Sequence, residues 1–501
     1  MELQKIRQGI SDLCYVMIIL IMPFYFENGY FNMIEAKARF LWVTGGILFL
    51  AIIVCYVSGI VLKIYKHSIS GVPKQNIKQN MKNRLSMLDI SILLFLCSAV
   101  CSGFVSKTPG EAFWGNGGWS MGILTLAILV IMYFFVSENI EFHSYMTVTA
   151  ILSSFALYVM GILHSFHVDL FGLHQRISDN YYNYISTIGN VNWYVGYLSM
   201  MFPMGCLLYL NSKNCWMKQL LFIYVNLGFY NVIICKSDGV ILGLASSCLV
   251  VGCFLIKHKN FLEDFMKLML SISVIMGIVF LLLTYYPGEY VQIDGIFLLI
   301  IEKKIWLVMG TGALCALCFL KTDIKKKIIL KIKFTELEKN IVLSILFVAI
   351  GIAVLIYEIS VFEDGWGTGR GLLWICTYNL FSNFKWIYKI FGCGCDCFGI
   401  AFLSKYSSYV DGIYLNAHNE FLQYLVTMGL FGLATYGMIW FSAGKMFIQK
   451  KEKYIIDWML FSGIAGYLGQ SVVNNPQALN YAVLFLMLAL LKKSCNYKKI
   501  L

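Results

Sequence analysis

Charge is what this sequence has least of: Asp, Glu, Lys and Arg make up 13% of its 501 residues, against 59% hydrophobic. A water-soluble chain of this size carries about a quarter of its residues as charges. Most of its outer surface therefore faces lipid, and a soluble globular class is excluded. A formal net charge of +12 does not redirect the reading toward nucleic acid. The cations stand in short clusters between apolar stretches, which is how membrane topology is encoded, and not along one amphipathic face. A cysteine framework is also missing. Most of the 16 cysteines, such as Cys55, Cys97, Cys101, Cys315 and Cys318, lie inside apolar stretches, where the residue acts as a small hydrophobe. No internal repeat, phosphate-cradling glycine loop or HExxH zinc motif is present. The loops are too short for a nucleotide-binding domain, so any reaction draws on an activated substrate already in the membrane.

Apolar runs of spanning length fall near 11–26, 40–62, 87–105, 120–137, 145–163, 189–210, 219–235, 239–256, 268–285, 305–320, 341–357, 421–444, 454–472 and 480–491. The expected fold is an all-α polytopic transmembrane bundle of about 12–14 helices. The first run lacks a small-residue cleavage site and is expected to remain as a helix. With the N-terminus inside, the inner segments hold 28 of the 39 basic residues, and both termini come out cytoplasmic. That arrangement divides the chain into N-terminal helices (1–357), one large extracytoplasmic loop (358–419), and C-terminal helices with a basic tail (420–501). Within the loop, 371–391 carries Trp374, Tyr378, Phe381, Trp386 and Tyr388 at helical spacing. This suits either a helix lying on the bilayer surface or a lid over the membrane domain.

Arginine is rarer still than charge in general: five against 34 lysines. Three of the five, Arg39, Arg176 and Arg370, fall on the outer side, where positive charge is disfavoured. Arginine grips phosphate bidentately and lysine does not. These positions either bind phosphate or pair with nearby acids such as Asp179 or Asp364. His418 stands at the entrance of the helix returning from the outer loop. There, helix polarity favours a neutral imidazole beside an anion, the setting of a general base or of an interfacial hydrogen-bonded histidine. Cys393-Gly-Cys395-Asp-Cys397 lacks a fourth ligand at metal spacing and reads as a tight glycine-rich turn.

Four segments together resemble the O-antigen ligase and O-antigen polymerase superfamily of membrane glycosyltransferases. GTGRGLLW (367–374) is similar to its Gly-Arg-Gly-x-x-Trp segment, and FGCGCDCFGIAF (391–402) to its Gly-x-Gly-x-Asp-x-Phe turn. HNEFLQYLVTMGLFGLATY (418–436) resembles its His-Asn-x-x-Leu-Gln helix, and STIGNVNWYVGYLSMMFP (186–203) its Gly-Asn-x-Asn helix start, with Arg176 ten residues upstream. Where many members carry Ser-Arg-Gly, this chain has Ser237-Asp238-Gly239, leaving Lys236 as the nearby cation. The expected helix count exceeds the twelve typical of the ligases.

The resemblance implies transfer of a glycan from undecaprenyl diphosphate to an acceptor hydroxyl at the outer face of a bacterial plasma membrane, with inversion and without a cofactor or metal. It implies His418 as base, with Glu420 or Asp411 as fallbacks. Arg370, Arg176 and Lys236 would hold the diphosphate, helped by Lys37 or Arg39. Asn190, Asn419, Trp374 and Asp396 would contact substrate. The partners implied are the lipid-linked glycan, membrane lipid and a chain-length regulator. Lys-, Ile- and Cys-rich composition points to a low-GC source lacking a lipid A-core acceptor, which favours polymerisation of a surface polysaccharide over ligation. A lipid-linked oligosaccharide flippase is the competing class, but its ion coupling usually needs ionisable groups near mid-membrane. Here Asp89 and Asp457 lie only near the inner helix ends.

Overall fold

A computed structural model of the chain describes residues 2–70, 85–116, 118–175, 177–237, 239–293, 295–321, 366–409 and 414–496. Twelve of the fourteen apolar runs each fall on one described helix and 421–444 falls on two; the run at 341–357 lies outside the described residues, as does the expected boundary at 357/358. Among the described residues, nine helices are long and apolar enough to cross a membrane, or ten with one bent pair. The chain is an all-α, multi-pass membrane protein.

In order, the helices are α1 (Glu2–Val16, extended by short π and 3-10 turns to Phe24), α2 (Met33–Ser70), α3 (Met87–Val105), α4 (Pro109–Trp114), α5 (Ile123–Asn139) and α6 (Ser144–Ser165). A two-stranded antiparallel turn, β1 (Tyr184–Ile185) with β2 (Gly189–Asn190), leads into α7 (Val191–Asn211). Then come α8 (Cys215–Ile234), α9 (Gly239–Lys257), α10 (Leu262–Tyr285), and the pair α11 (Gly295–Glu302) and α12 (Ile305–Leu320), bent by 69°. The long segment before the last helices supplies α13 (Trp366–Ser382), α14 (Trp386–Phe391) and α15 (Phe398–Tyr406). The chain closes with α16 (Glu420–Thr427), α17 (Gly429–Gln449), α18 (Ile455–Ser471) and α19 (Ala478–Asn496).

The centre of the bundle is α7, buried along nearly its whole length and packed against α9 and α18. Apolar burial drives nothing between helices already in lipid, so close approach through small residues must hold them. Gly243, Gly463, Gly466 and Gly469 provide it: a Cβ on Gly466 would collide with the Ser199 carbonyl, and one on Gly469 with that of Leu242.

At one end of the bundle, charged helix termini are neutralised in pairs. Lys450 donates to buried Asp457 at 2.7 and 2.8 Å, and Lys492 pairs with Asp89 at 2.7 Å. The two carboxylates noted in the sequence are thus already partnered. The segment from α13 to α15 sits at the opposite end, where Asp396 meets the loop that follows α4.

Two expected helices are broken. The run 421–444 is interrupted at Met428–Gly429, where Gly429 has φ +70°. The run 371–391 is two helices, separated at Asn383–Lys385. The break lets them fold into a cap. Leu373, Cys376 and Leu380 of α13 pack with Phe398 and Phe402 of α15 and with Ala417 and Val426 in a core of their own. Tyr378 and Trp386 stay exposed while Trp374, Phe381 and Tyr388 turn partly inward.

Candidate functional site

The peptide Asn416–Asn419 enters α16 under four anchors. Trp374 Nε1 donates to the Ala417 carbonyl at 2.9 Å, and the Ala417 N–H donates to Gln423 Oε1 at 2.9 Å. Asn416 Oδ1 accepts the His418 N–H at 3.3 Å. Asn419 Oδ1 caps the helix, accepting the N–H groups of Phe421 (2.9 Å) and Leu422 (3.1 Å). Between these anchors His418 takes φ +47°. A non-glycine residue holds that left-handed conformation at a cost of about 1–2 kcal/mol, and such strain gathers at functional sites.

Burial and the nearby Arg370 guanidinium push the His418 imidazole down to about 4, so it is neutral near pH 7. Its Nδ1 lies 3.3 Å from the side-chain nitrogen of Asn475, in the loop between α18 and α19. That loop, with the start of α19, is a run of buried amides: Asn474, Asn475, Gln477 and Asn480. Asn474 donates to Gln470 Oε1 at 2.7 Å and to the Asn192 carbonyl at 3.4 Å. Asn192 Oδ1 in turn accepts Ser237 Oγ at 2.8 Å. The loop therefore ties the His418 peptide to the α8–α9 corner where Lys236 sits.

The other expected site residues take varied positions. Lys236 has φ +50°, donates to Gln292 Oε1 at 2.5 Å, and lies 4.7 Å over the Tyr182 ring. These residues line a small pocket of about 30 Å³, room for a water. Asn190 caps α7, its Oδ1 accepting the Asn192 N–H at 2.9 Å. Arg176 and Asp411 lie outside the described residues. Lys37 donates to the carbonyls of Met22 and Pro23 at 2.8 Å each, at the end of the first span. Arg39 pairs with Glu27 at 2.6 Å and Glu35 at 3.4 Å, acids other than those considered from sequence.

Two carboxylates are committed to the framework. Glu420 is fully buried, with Oε1 accepting Tyr467 (2.7 Å) and Oε2 accepting Tyr436 (2.5 Å) and Tyr481 (2.7 Å). Asp396, at φ +57°, accepts backbone N–H groups of Asn116 and Met121. The surrounding turn clamps the α16–α17 break: the N–H groups of Cys393 and Gly394 donate to the Val426 and Thr427 carbonyls at 3.0 Å each. Gly392 (φ +79°) approaches Thr427 too closely for any side chain. Cys393, Cys395 and Cys397 are free thiols within it.

Among the described residues, one group of three has ligand atoms close enough for a metal: His164, Asp169 and His174, within 4.8 Å of one another. Its hydrogen bonds run against that use. The Ser186 N–H donates to His164 Nδ1 at 3.0 Å, which places the proton on Nε2, the nitrogen facing Asp169 at 3.8 Å. His174 Nε2 lies 3.1 Å from the Tyr184 carbonyl. The trio pins the loop that leads to β1.

The amides of 474–480 were not foreseen from sequence. Their signal is compositional: four amide side chains in seven residues at the end of an apolar helix, without a motif to name them.

Residues 223–437 match the family model described as O-antigen ligase. The likeness to that superfamily read from the motifs holds over this span, which takes in Lys236, Arg370, Trp374, Asp396 and His418. No curated protein matches the chain.

Proposed function

We propose that this chain is a membrane glycosyltransferase of the O-antigen ligase type, acting on a glycan carried by undecaprenyl diphosphate. The reading places the site at the outer face of a bacterial plasma membrane with both termini cytoplasmic, supported by the lysine bias toward the opposite loops. The observation that carries it is His418. It is a strained, neutral imidazole held by four anchors, close enough to Arg370 to feel its charge.

The reaction asks for a base and for a cation. The acceptor hydroxyl oxygen attacks the anomeric carbon, the bond from that carbon to the diphosphate oxygen breaks, and the hydroxyl proton passes to His418. A single displacement inverts the anomeric configuration. Arg370 stabilises the diphosphate left on the lipid carrier, with Arg176 and Lys236 as helpers; in this reading no metal takes part. Lys236 reaches a phosphate only after leaving Gln292. Asn419, Asn190, Asp396 and Trp374, assigned above to substrate, fit better as residues that shape the site. Repeated transfer to a growing chain makes a polymer, the outcome preferred here; transfer to a different acceptor makes a ligase.

The test uses purified protein in nanodiscs with undecaprenyl-diphosphate oligosaccharides and no nucleotide. A ladder of longer glycans, absent in His418→Ala and Arg370→Ala, is expected. Full product in His418→Ala removes the base. No product in any sample, with carrier movement in sealed liposomes, indicates a flippase.

A further inference from the structure

We propose that Asn475 is the positioning residue of His418, fixing which ring nitrogen carries the proton. The inference rests on the reading of His418 as the base and adds a residue outside the matched span.

As placed, the Asn475 NH2 group donates to His418 Nδ1 at 3.3 Å. That arrangement puts the imidazole proton on Nε2 and makes Nε2 a donor. A base needs the reverse: Nδ1 protonated and held by an acceptor, Nε2 bare. Asn475 can supply it by exchanging its amide oxygen and nitrogen, a half-turn about its last torsion. The two ends are told apart only by their hydrogen bonds. Here those bonds do not resist the exchange. Asn475 Oδ1 is buried without a partner, so turning it toward Nδ1 breaks only the bond it replaces. Among the described residues no group hydrogen-bonds His418 Nε2, so that nitrogen stays available to an acceptor hydroxyl.

The same half-turn moves the NH2 group to the position where Oδ1 has no partner. A buried donor left there costs about 1–3 kcal/mol until something accepts from it. Gln477 Nε2 is a second buried amide donor without a partner, two residues along. Both suit the oxygen-rich surface of a glycan or diphosphate. The loop is held firmly enough to position a ring. The Val473 N–H donates to the Gln470 carbonyl at 3.1 Å, Asn474 is fixed to Gln470, and Gln477 Oε1 accepts the Leu479 N–H at 2.9 Å.

The experiment measures transfer against pH for wild type, Asn475→Ala, Asn475→Asp and His418→Ala in nanodiscs. Asn475→Ala is expected to lose up to about 100-fold in kcat, the lower range of what a positioned base contributes, with KM little changed. Asn475→Asp keeps an acceptor at Nδ1 and adds negative charge. It is expected to recover much of the rate and to move the acid limb of kcat/KM to higher pH. A structural role alone predicts no recovery of rate by the acidic residue over Asn475→Ala at unchanged KM. Unchanged kcat in Asn475→Ala, or an acid limb in Asn475→Asp that coincides with wild type, overturns the proposal while the base reading stands. An active His418→Ala overturns both. Should Asn475→Ala not fold, nitrogen-15 NMR of histidine-labelled wild type, with His418→Gln to identify the signal, reads the tautomer directly. Donor-bound protein with the proton on Nδ1 is expected; the proton on Nε2 refutes the proposal.

Discussion

The Asp396 carboxylate accepts the backbone N–H of Met121 at 3.0 Å, and the same oxygen accepts that of Asn116 at 3.1 Å. Through this one atom the glycine-rich turn of the cap is fastened to the loop between α4 and α5. The turn's own N–H groups hold the end of α16, the helix that His418 enters. Asp396 thus acts on the site from behind, through the framework.

Its titration gives the first prediction. Burial pushes the Asp396 carboxyl up to about 7, from an unfolded value near 4. A carboxyl raised on folding contributes stability that is full below about pH 4 and is lost as pH rises through 7. The thermal midpoint of wild type should therefore decline between pH 4 and 7 more steeply than that of Asp396→Asn, which has nothing to ionise there. KM for the lipid-linked donor should be unchanged in folded Asp396→Asn. A raised KM with unaltered stability would return Asp396 to the substrate contacts.

Glu420 separates two roles that look alike in sequence. Both its oxygens accept tyrosine hydroxyls, and the side chain is fully buried among them. Glu420→Ala takes the acceptor from three buried hydroxyls, of which Tyr481 keeps Tyr424 as a partner; each hydroxyl left without one costs about 1–3 kcal/mol, enough to deplete the folded protein in membranes. Glu420→Gln keeps volume and one acceptor, and is expected to lower the thermal midpoint while leaving the acid limb of the rate profile in place. A folded Glu420→Gln without transfer activity would instead make Glu420 the base.

The bundle was legible because each spanning helix announces itself as a long apolar run, and lipid leaves the backbone few alternatives. The breaks were not. Gly429 lies within an apolar run like many other glycines. What makes it a break is the α14 carbonyl of Ile390, too close for a side chain. Arg370 stood out because arginine is scarce in this chain, and His418 because it stands at the entrance of the helix that follows the long segment. Asn475 did not, since its meaning comes from a neighbour 57 positions away. Lys37 and Asp396 enter as site residues only through the family resemblance. Their partners are backbone atoms, which carry no sequence signal.

Trp374 offers a milder perturbation. Its indole N–H holds the Ala417 carbonyl, next to His418, at 2.9 Å. Trp374→Phe keeps most of the packing and removes that bond, worth about 0.5–1.5 kcal/mol. The expected outcome is a fall in kcat of several-fold with KM for the donor nearly constant. If the indole contacts the glycan itself, KM should rise instead.

Arg370 carries the sharpest pH prediction. Its positive charge contributes, after burial, to holding the His418 imidazole down at about 4. Removing that charge in Arg370→Gln must raise the imidazole toward its ordinary value near 6.5. Because the base works only when neutral, activity falls as pH drops through its pKa. The acid limb of kcat/KM, which reports the free enzyme, should then move to higher pH in Arg370→Gln, on top of the loss of diphosphate stabilisation. Arg370→Lys separates the two effects. It keeps the charge, so the limb should stay near its wild-type position, while the planar two-point grip on phosphate is lost and the rate falls. A wild-type rate in Arg370→Lys would argue against a bidentate contact. An unshifted limb in Arg370→Gln would place the guanidinium too far from His418 to influence it.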